Sequence, residues 1–480
     1  MRAKPPRPGK SPRFLALEVL GAWQRLNPPA GPPGPFLDEL LAAALAKHPG
    51  LASRDQALCW ELVTGVMRWR RRLDYVISRV ATTALPRLHP VVLDILRLTA
   101  YQLLRLERIP VHAAVAEAVN LAKARRLPPA LVGFVNAVGR RLAVAGPQIA
   151  LPDPRVDPVL GLAVEASLPD WLAARWLQEL GPAQAWRRGQ AANAKPPLTL
   201  RVNTRRTTPG QLQAILSQEG VVASPCRFSP VGLTLGELPG SPFELPSYQK
   251  GLWLFQDEAA QLVTLLLSAR PGDAVLEIGA GRGGKTTHLA QLADGTGLMV
   301  ALDSHRPRLL DLRRQLDRLQ LARVSILQAD ASRPLPLAAT FRFDRILIDA
   351  PCSGLGVLRR HPELKWRRQP EDIGRFAKLQ QQLLAQASGH LRPGGLLLYI
   401  TCTTTREENE AVVQEFLAVH PDFAKVRRTD LPESPARQFL DDQGYFRTTP
   451  EDHGLDGFFA AVLQRVHEKQ DSAAFSLLSK

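Results

Sequence analysis

Two cysteines and a set of carboxylates stand in this chain where chemistry is usually done. Cys352 lies in Asp349-Ala-Pro-Cys-Ser-Gly354, and Cys402 follows Thr401. Each motif begins where an apolar, strand-like run ends: Ile346-Leu347-Ile348 before Asp349, and Leu396–Ile400 before Thr401. Three more runs end the same way. Ala274–Ile278 leads into Gly279-Ala280-Gly281-Arg282-Gly283-Gly284-Lys285, Leu298–Leu302 into Asp303, and Val324–Gln328 into the segment holding Asp330. In an open parallel sheet, ligands bind just outside the carboxyl ends of the strands. A single carboxylate there, Asp330 for instance, is as readily a helix cap. Five coincident ends are much harder to explain by capping.

The glycine stretch fits G-x-G-x-x-G, a pattern shared by nicotinamide, flavin and S-adenosylmethionine sites. Asp303 follows Gly279 by 24 residues, the range of an acid that accepts hydrogen bonds from ribose hydroxyls. One reaction uses a methyl donor, a carboxylate and a thiol together. Carbon 5 of cytosine is too weak a nucleophile for a sulfonium methyl. A thiolate adding to carbon 6 makes carbon 5 enamine-like, and a carboxyl group at the pyrimidine edge helps carry the shifted charge. A base then removes the carbon 5 proton and the thiol leaves, so one hard step becomes several easier ones. A free thiol titrates near pH ~8.5, so it needs activation; Lys285 and nearby backbone N–H groups are candidate sources of positive potential. Cys59, between Leu58 and Leu62, and Cys226, in Pro225-Cys226-Arg227, read as buried apolar fillers.

Positioning these groups requires strands alternating with helices from about Ser247 onward, a doubly wound α/β sheet. Residues 13–145 read as all-helical: Leu58, Leu62, Val63 and Val66 recur at helical spacing, as do Leu93, Ile95, Leu96 and Leu98. Breaks are expected at Ile109-Pro110 and Pro128-Pro129. Arg68-Trp69-Arg70-Arg71-Arg72 is expected to end a helix, where the dipole or a phosphate backbone would suit its charge. The expected organisation is a flexible basic tail (1–12), a helical domain (13–145), a small α/β linker domain (146–245) with a strand at Leu198–Asn203 and a helix near Pro209–Gly220, a C-terminal α/β domain (246–466) and a polar tail (467–480). Thr404 with Glu407, or Thr405 with Glu408, fits a capping box opening the helix after Cys402.

Of the formal charge of +16, residues 1–150 carry 22 basic and 9 acidic residues, a net +13. That asymmetry suggests that the first part handles a polyanion. No apolar run nears the ~18 residues of a membrane span, and the basic N-terminus lacks a signal peptide's apolar core. The four cysteines show no disulfide or metal spacing. A soluble, cytoplasmic, monomeric protein without a metal is expected.

Asp349-Ala-Pro-Cys-Ser-Gly354, Arg360-His-Pro-Glu-Leu-Lys-Trp366, Thr401-Cys402 with Glu407-Glu408-Asn409, and Asp456-Gly457-Phe458-Phe459 resemble the Nop/Sun-type RNA (cytosine-5)-methyltransferases. Arg108-Ile-Pro-Val-His-Ala113 and Gly133-Phe-Val-Asn-Ala-Val-Gly-Arg140 are similar to the NusB-like domain; with Leu200-Arg-Val-Asn203 they resemble the bacterial 16S ribosomal RNA methyltransferase B subgroup. The resemblance implies a Rossmann-like class I methyltransferase domain and RNA as partner. It also implies that Gly279 through Lys285, Asp303, Asp330 and Asp349 surround S-adenosylmethionine, with Asp349 facing the base as well. It makes Cys402 the nucleophile and ties Cys352 to product release, whereas DNA cytosine methyltransferases use the Pro-Cys thiol as nucleophile. The family's usual Cys-Ala-Ala-Pro-Gly-Gly-Lys loop is here Gly279-Ala-Gly-Arg-Gly-Gly-Lys285. Competing readings are methylation of transfer RNA or another RNA, and a non-catalytic RNA-binding assembly factor. A nicotinamide oxidoreductase leaves both cysteines unexplained.

Overall fold

The computed structural model describes residues 11–28, 34–238, 240–294, 296–321 and 323–466. The chain forms two compact units. One holds the described residues up to Lys195 together with Leu358–Arg368; the other holds Pro196–Val357 and the described residues from Gln369. The division at Lys195/Pro196 falls inside the segment expected as one linker domain. Nearly all of the expected tails, 1–12 and 467–480, lies outside the described residues, but Ser11 and Pro12 already open a helix.

The first unit is helical: α1 (Pro12–Leu26), α2 (Leu37–Ala46), α3 (Ser53–Val80), α4 (Pro90–Arg105), α5 (Val111–Ala124), α6 (Pro129–Ala145), α7 (Pro158–Glu165) and α8 (Asp170–Ala191). Local chemistry sets several starts. The Ser11 side chain accepts from the Phe14 amide, and prolines occupy the first turns of α1, α4 and α6, where no amide donor is needed. Pro110 and Pro128 are the caps of α5 and α6, as their sequence positions predict. Leu62, Val63 and Val66 of α3 pack with Ile95, Leu96 and Leu98 of α4 in the core. Asp74, Asp94 and the buried Arg97 are joined at 2.7–3.0 Å, which ties α3 to α4. The helix α8 breaks at Gly181-Pro182, where Gly181 has φ +74°.

The arginine segment does not end a helix. It lies in the middle of α3, because Leu73, Val76, Ile77 and Val80 continue the buried stripe for two more turns. The segment Leu358–Arg368 also departs from expectation: it packs with the helical unit, not with the α/β domain that flanks it in sequence. Lys365 is fully buried there, its ammonium donating to Asn193 Oδ1 at 2.7 Å and reaching the Arg68, Ala166 and Ser167 carbonyls at 3.3–3.4 Å. Burial holds its pKa well below the ordinary lysine range. The Trp366 indole donates to the Met67 carbonyl at 2.7 Å.

The second unit opens with an antiparallel sheet, β1 (Leu198–Val202), β2 (Ala223–Pro225), β3 (Gly232–Leu235) and β4 (Trp253–Phe255), in the order β2-β3-β1-β4. The predicted helix is present at Pro209–Gln218. The larger sheet holds β5 (Val275–Ile278), β6 (Met299–Asp303), β7 (Val324–Gln328), β8 (Phe343–Asp349), β9 (Leu391–Thr401), β10 (Phe423–Lys425), β11 (Phe446–Thr448) and β12 (Phe458–Arg465). Among the described residues its order is β10-β12-β9-β8-β5-β6-β7, with β11 on β12. Strands β5 to β9 are mutually parallel, while β12 runs antiparallel to β9. All five predicted strand ends therefore open on the same sheet edge.

Candidate active site

The glycine loop leaves β5 through backbone that other residues rarely adopt. Gly279 has φ +82°, and a Cβ there would stand 2.2 Å from the Asp349 carbonyl oxygen. Gly283, at φ +88°, caps the helix Gly284–Leu292. The loop is held from β6: Asp303 accepts from the Gly281 amide at 2.9 Å and from the His305 amide at 2.8 Å. Ala280 is buried beside it.

A second support was not read from the sequence. Arg201 of β1 is fully buried and donates to the Gly284 carbonyl at 2.8 Å, Thr287 Oγ1 at 2.7 Å, Gln291 Oε1 at 3.2 Å and also Gln256. Asn203 donates to the carbonyls of Gly251 and Leu319, both at 2.9 Å. The signal was visible as alternation in Leu198–Asn203, but alternation alone assigns Thr199, Arg201 and Asn203 to solvent. In the structure both faces of this strand are covered, so its polar face bonds to the helix that follows the glycine loop. Burial lowers Arg201 to about 9, against the field of Glu277, whose own carboxyl burial pushes up to about 8.

Asp349 and Lys285 meet at the end of β8, with Lys285 Nζ 2.6 Å from Asp349 Oδ2. Burial opposes the ammonium charge, but Asp349 and the nearby Cys402 outweigh it and raise Lys285 above its ordinary range. The Lys285 ammonium also lies 5.4 Å from the Phe458 ring centroid. Cys352 Sγ is 3.1 Å from Cys402 Sγ, and the Cys402 amide points at Cys352 Sγ from 3.4 Å. Cys352 is buried and Cys402 half-buried. The hydrogen bond to Cys402, then burial, pushes the Cys352 thiol well above the ordinary range. The Gly356 amide bonds to the Cys402 carbonyl at 3.0 Å, and the Gly457 amide to the Gly356 carbonyl at 2.8 Å. Three motifs more than 100 residues apart at their extremes are thus stitched together by backbone.

The predicted capping box does not form. The helix after Cys402 starts at Glu410 with no side-chain cap. Glu408 is fully buried instead, and accepts from the Ser353 amide at 2.8 Å, from the Ser353 hydroxyl, from Thr405 Oγ1 at 2.8 Å and from Gln380 Nε2 at 3.2 Å. It bridges the Pro-Cys loop to the Thr-Cys loop. Asn409 holds the latter from within, donating to the Thr403 carbonyl at 3.1 Å and accepting from Thr401 Oγ1.

The remaining candidates divide. Asp330 follows β7 but turns on itself, accepting from the Ser332 amide at 3.0 Å and hydroxyl at 2.6 Å, with its side chain 54% exposed. Arg282 reaches Asp311 at 3.4 Å. Cys59 and Cys226 are buried, and burial raises their thiols to about 12 and about 11. Among the described residues no three His, Cys, Asp or Glu side chains gather as a metal ion would require. No helix among them is long and apolar enough to cross a membrane.

Comparison with known proteins agrees with this geometry. Residues 264–464 match the family model described as 16S rRNA methyltransferase RsmB/F, residues 10–143 that of the NusB family, and residues 168–238 the ferredoxin-like domain of RsmF/B-like methyltransferases. A probable ribosomal RNA small subunit methyltransferase B of Synechocystis is 34% identical over 90% of this chain and 96% of its own. Ribosomal RNA small subunit methyltransferase B of Pseudomonas putida is 37% identical over 90% of this chain and 94% of its own. The crystal structure of PH0851 superposes with a TM-score of 0.77 at 25% identity, covering 94% of this chain and 98% of that one. The chain belongs to the ribosomal RNA small subunit methyltransferase B family, whose methyltransferase domain depends on S-adenosylmethionine.

Proposed function

We propose that this enzyme methylates carbon 5 of a cytosine in 16S ribosomal RNA through a covalent bond between Cys402 and the base. The observation that carries the reading is the 3.1 Å pairing of two thiols beside the Lys285–Asp349 ion pair. The residues present fit a donor: the glycine loop leaves β5 at the sheet edge, and the Asp303 carboxylate that accepts from its Gly281 amide stands at the end of the next strand, where ribose hydroxyls would be met. Gly279 through Lys285, Asp303, Asp330 and Asp349 would hold it, and the bound donor supplies an electrophilic methyl on a sulfonium.

The two sulfurs are not equivalent. Cys352 is the more buried, and its raised pKa keeps it a thiol. A thiol donating to a neighbouring sulfur favours the thiolate there, and the Lys285 charge works in the same direction. This supports Cys402 as nucleophile over the rival assignment. The Cys402 thiolate adds to carbon 6, the carbon 5–carbon 6 π pair moves between carbons 4 and 5, and the displaced carbon 4–nitrogen 3 π pair takes up a proton from the Asp349 carboxyl group. Lys285 occupies one oxygen of Asp349, which leaves Oδ1 to meet the pyrimidine edge. Carbon 5 then takes the methyl as the donor's methyl–sulfur bond breaks with its electron pair left on that sulfur, and nitrogen 3 returns its proton to Asp349. A base removes the carbon 5 proton, the carbon 5–carbon 6 double bond re-forms and the bond from carbon 6 to the Cys402 sulfur breaks. Cys352, as the neighbouring acid, returns a proton to the departing Cys402 sulfur.

The helical domain (13–145), with 18 basic and 9 acidic residues, a net +9, would grip RNA phosphates while the target base leaves its stack. The small domain (146–245) would make RNA contacts of its own, and the domain at 246–466 would carry the chemistry. A ribosomal RNA substrate puts the work where ribosomes assemble, in the cytoplasm. Incubation with labelled donor and unmodified small-subunit RNA, followed by mapping, tests the whole reading. Label at carbon 5 of a cytosine in that RNA is expected. Label only on transfer RNA would move the substrate, and label on another atom would overturn the chemistry.

A further inference from the structure

The four arginines of residues 68–72 are spent differently. An α-helix turns ~100° per residue, so neighbours in sequence point at different surroundings. Arg68 donates to the Arg359 carbonyl at 2.9 Å. Arg70 is stacked toward Trp366, 5.4 Å from its ring centroid. Arg71 forms a two-pronged pair with Asp170 at 2.9 and 3.2 Å. Arg72 has neither a hydrogen bond nor an ion pair among the described residues, and the same holds for Arg105 at the end of α4.

These two guanidiniums converge on one indole. Arg105 lies 3.7 Å from the Trp69 ring centroid and Arg72 lies 5.8 Å from it. Burial lowers both, and the charge on Arg72 lowers Arg105 further; the one acidic group acting on Arg72, Glu165, does so only through space. The negative end of α4 offsets part of this cost at Arg105 and none of it at Arg72. Two turns along the same face the pattern repeats: Arg79 lies 4.8 Å over the Tyr75 ring and donates to its hydroxyl at 3.0 Å. Trp69, Arg72, Leu104, Arg105, Pro147 and Leu151 line a cavity of about 240 Å³ beside the first pair.

We infer that Arg72 and Arg105 form a binding site for backbone phosphates of the RNA substrate, with Trp69, Tyr75 and Arg79 extending it along α3. Two like charges are held together at a protein surface without a counter-ion, which is the arrangement a phosphodiester completes. Each guanidinium offers a donor fork that matches phosphate oxygens, and aromatic groups interleaved with arginine suit an unpaired strand. The inference rests on the reading of RNA as substrate, and its test is separable from that reading.

The test measures binding of the full chain to unmodified small-subunit RNA across a salt series, without methyl transfer. The double variant Arg72→Ala/Arg105→Ala should bind roughly tenfold more weakly at low salt, and its salt slope should fall by about 1.5, as two lost phosphate contacts require. The Arg72→Lys/Arg105→Lys variant should keep most of the slope, and Arg71→Ala should bind as the parent does. Calorimetry with S-adenosylmethionine checks that each variant is folded. An unchanged slope in the alanine variant overturns the site, even if the parent methylates small-subunit RNA. A reduced slope upholds it, even if methyl mapping fails. Weakening confined to assembled particles, with naked RNA bound as by the parent, also overturns it, in favour of a protein contact.

Discussion

The arginine run of α3 and the polar ends of β5, β6, β8 and β9 are both dense in charge, yet the fold uses them in opposite ways. Along α3, residues adjacent in sequence are sent apart, so Arg68, Arg70, Arg71 and Arg72 meet four different environments. At the sheet edge, residues distant in sequence are brought together, so Lys285 touches Asp349 and Cys352 touches Cys402. A helix disperses a local cluster by rotation. A parallel sheet gathers remote groups, because every strand delivers its last residue to one edge. A charged run on a helix is therefore poor grounds for a site until its partners are known, whereas a set of strand ends is good grounds before any partner is seen.

The largest effect that would break this contrast lies in the sulfur pair. Cys402→Ala should reduce methyl transfer below detection, whereas Cys352→Ala should accumulate an RNA–protein adduct visible as a slow band on denaturing gels. Normal turnover by Cys402→Ala would show that the gathered groups are not the machinery. Cys226→Ala should leave methyl transfer intact, since that thiol is a buried filler.

Next in size is the bridge between the two loops. Glu408→Ala leaves the Ser353 amide without its acceptor and removes one of the two acceptors of the Gln380 side-chain amide, which keeps the Pro351 carbonyl; the loss should cost roughly 3 kcal/mol of stability. Turnover should fall about a hundredfold as the sulfurs lose register, a loss of ~2.7 kcal/mol in transition-state terms. Glu408→Gln should fall between the two. Thermal melts and steady-state rates separate the effects; a variant destabilised but fully active would make Glu408 a purely structural residue.

A third effect appears only as pH changes. Glu277 titrates at about 8 when folded, against an ordinary 4.5. The folded state therefore holds this proton more tightly than the unfolded state. Stability from this group is fully present below pH 4.5 and is lost as pH rises to about 8. Glu277→Gln, which cannot ionise, should melt progressively higher than the parent across that window, by at most a few kcal/mol. A difference that stays flat from pH 5 to 8 would show that Glu277 is charged in the fold.

The smallest effect belongs to the dispersed arginines. The Arg71–Asp170 pair is substantially exposed on both sides, so Arg71→Ala should shift stability by less than about 1 kcal/mol. A larger loss by chemical denaturation would mean that the run on α3 is more tightly integrated than its geometry implies.

Much of the site could be read directly because its signals are local. Each strand is a short apolar run that stops at glycine, aspartate or cysteine, and that punctuation survives any packing. The misreadings share one cause. Thr405 and Glu408 have the spacing of a capping box, but Glu408 has better partners at Ser353, 55 residues away in sequence. The arginines of residues 68–72 suggest a helix end, but Leu73, Val76, Ile77 and Val80 carry the apolar stripe of α3 onward.

The sequence alone determined the order of elements, the edge on which the chemistry gathers and the residues able to perform it, since these follow from periodicity, backbone freedom and side-chain reactivity along one stretch of chain. Tertiary structure decided that Cys352 is the more deeply buried of the two sulfurs, which carboxylate braces a loop, which arginines lack a hydrogen-bond partner among the described residues, and that Leu358–Arg368 belongs to the helical unit. Those outcomes depend on burial and on competition among partners far apart in the chain, and neither exists until the chain has folded.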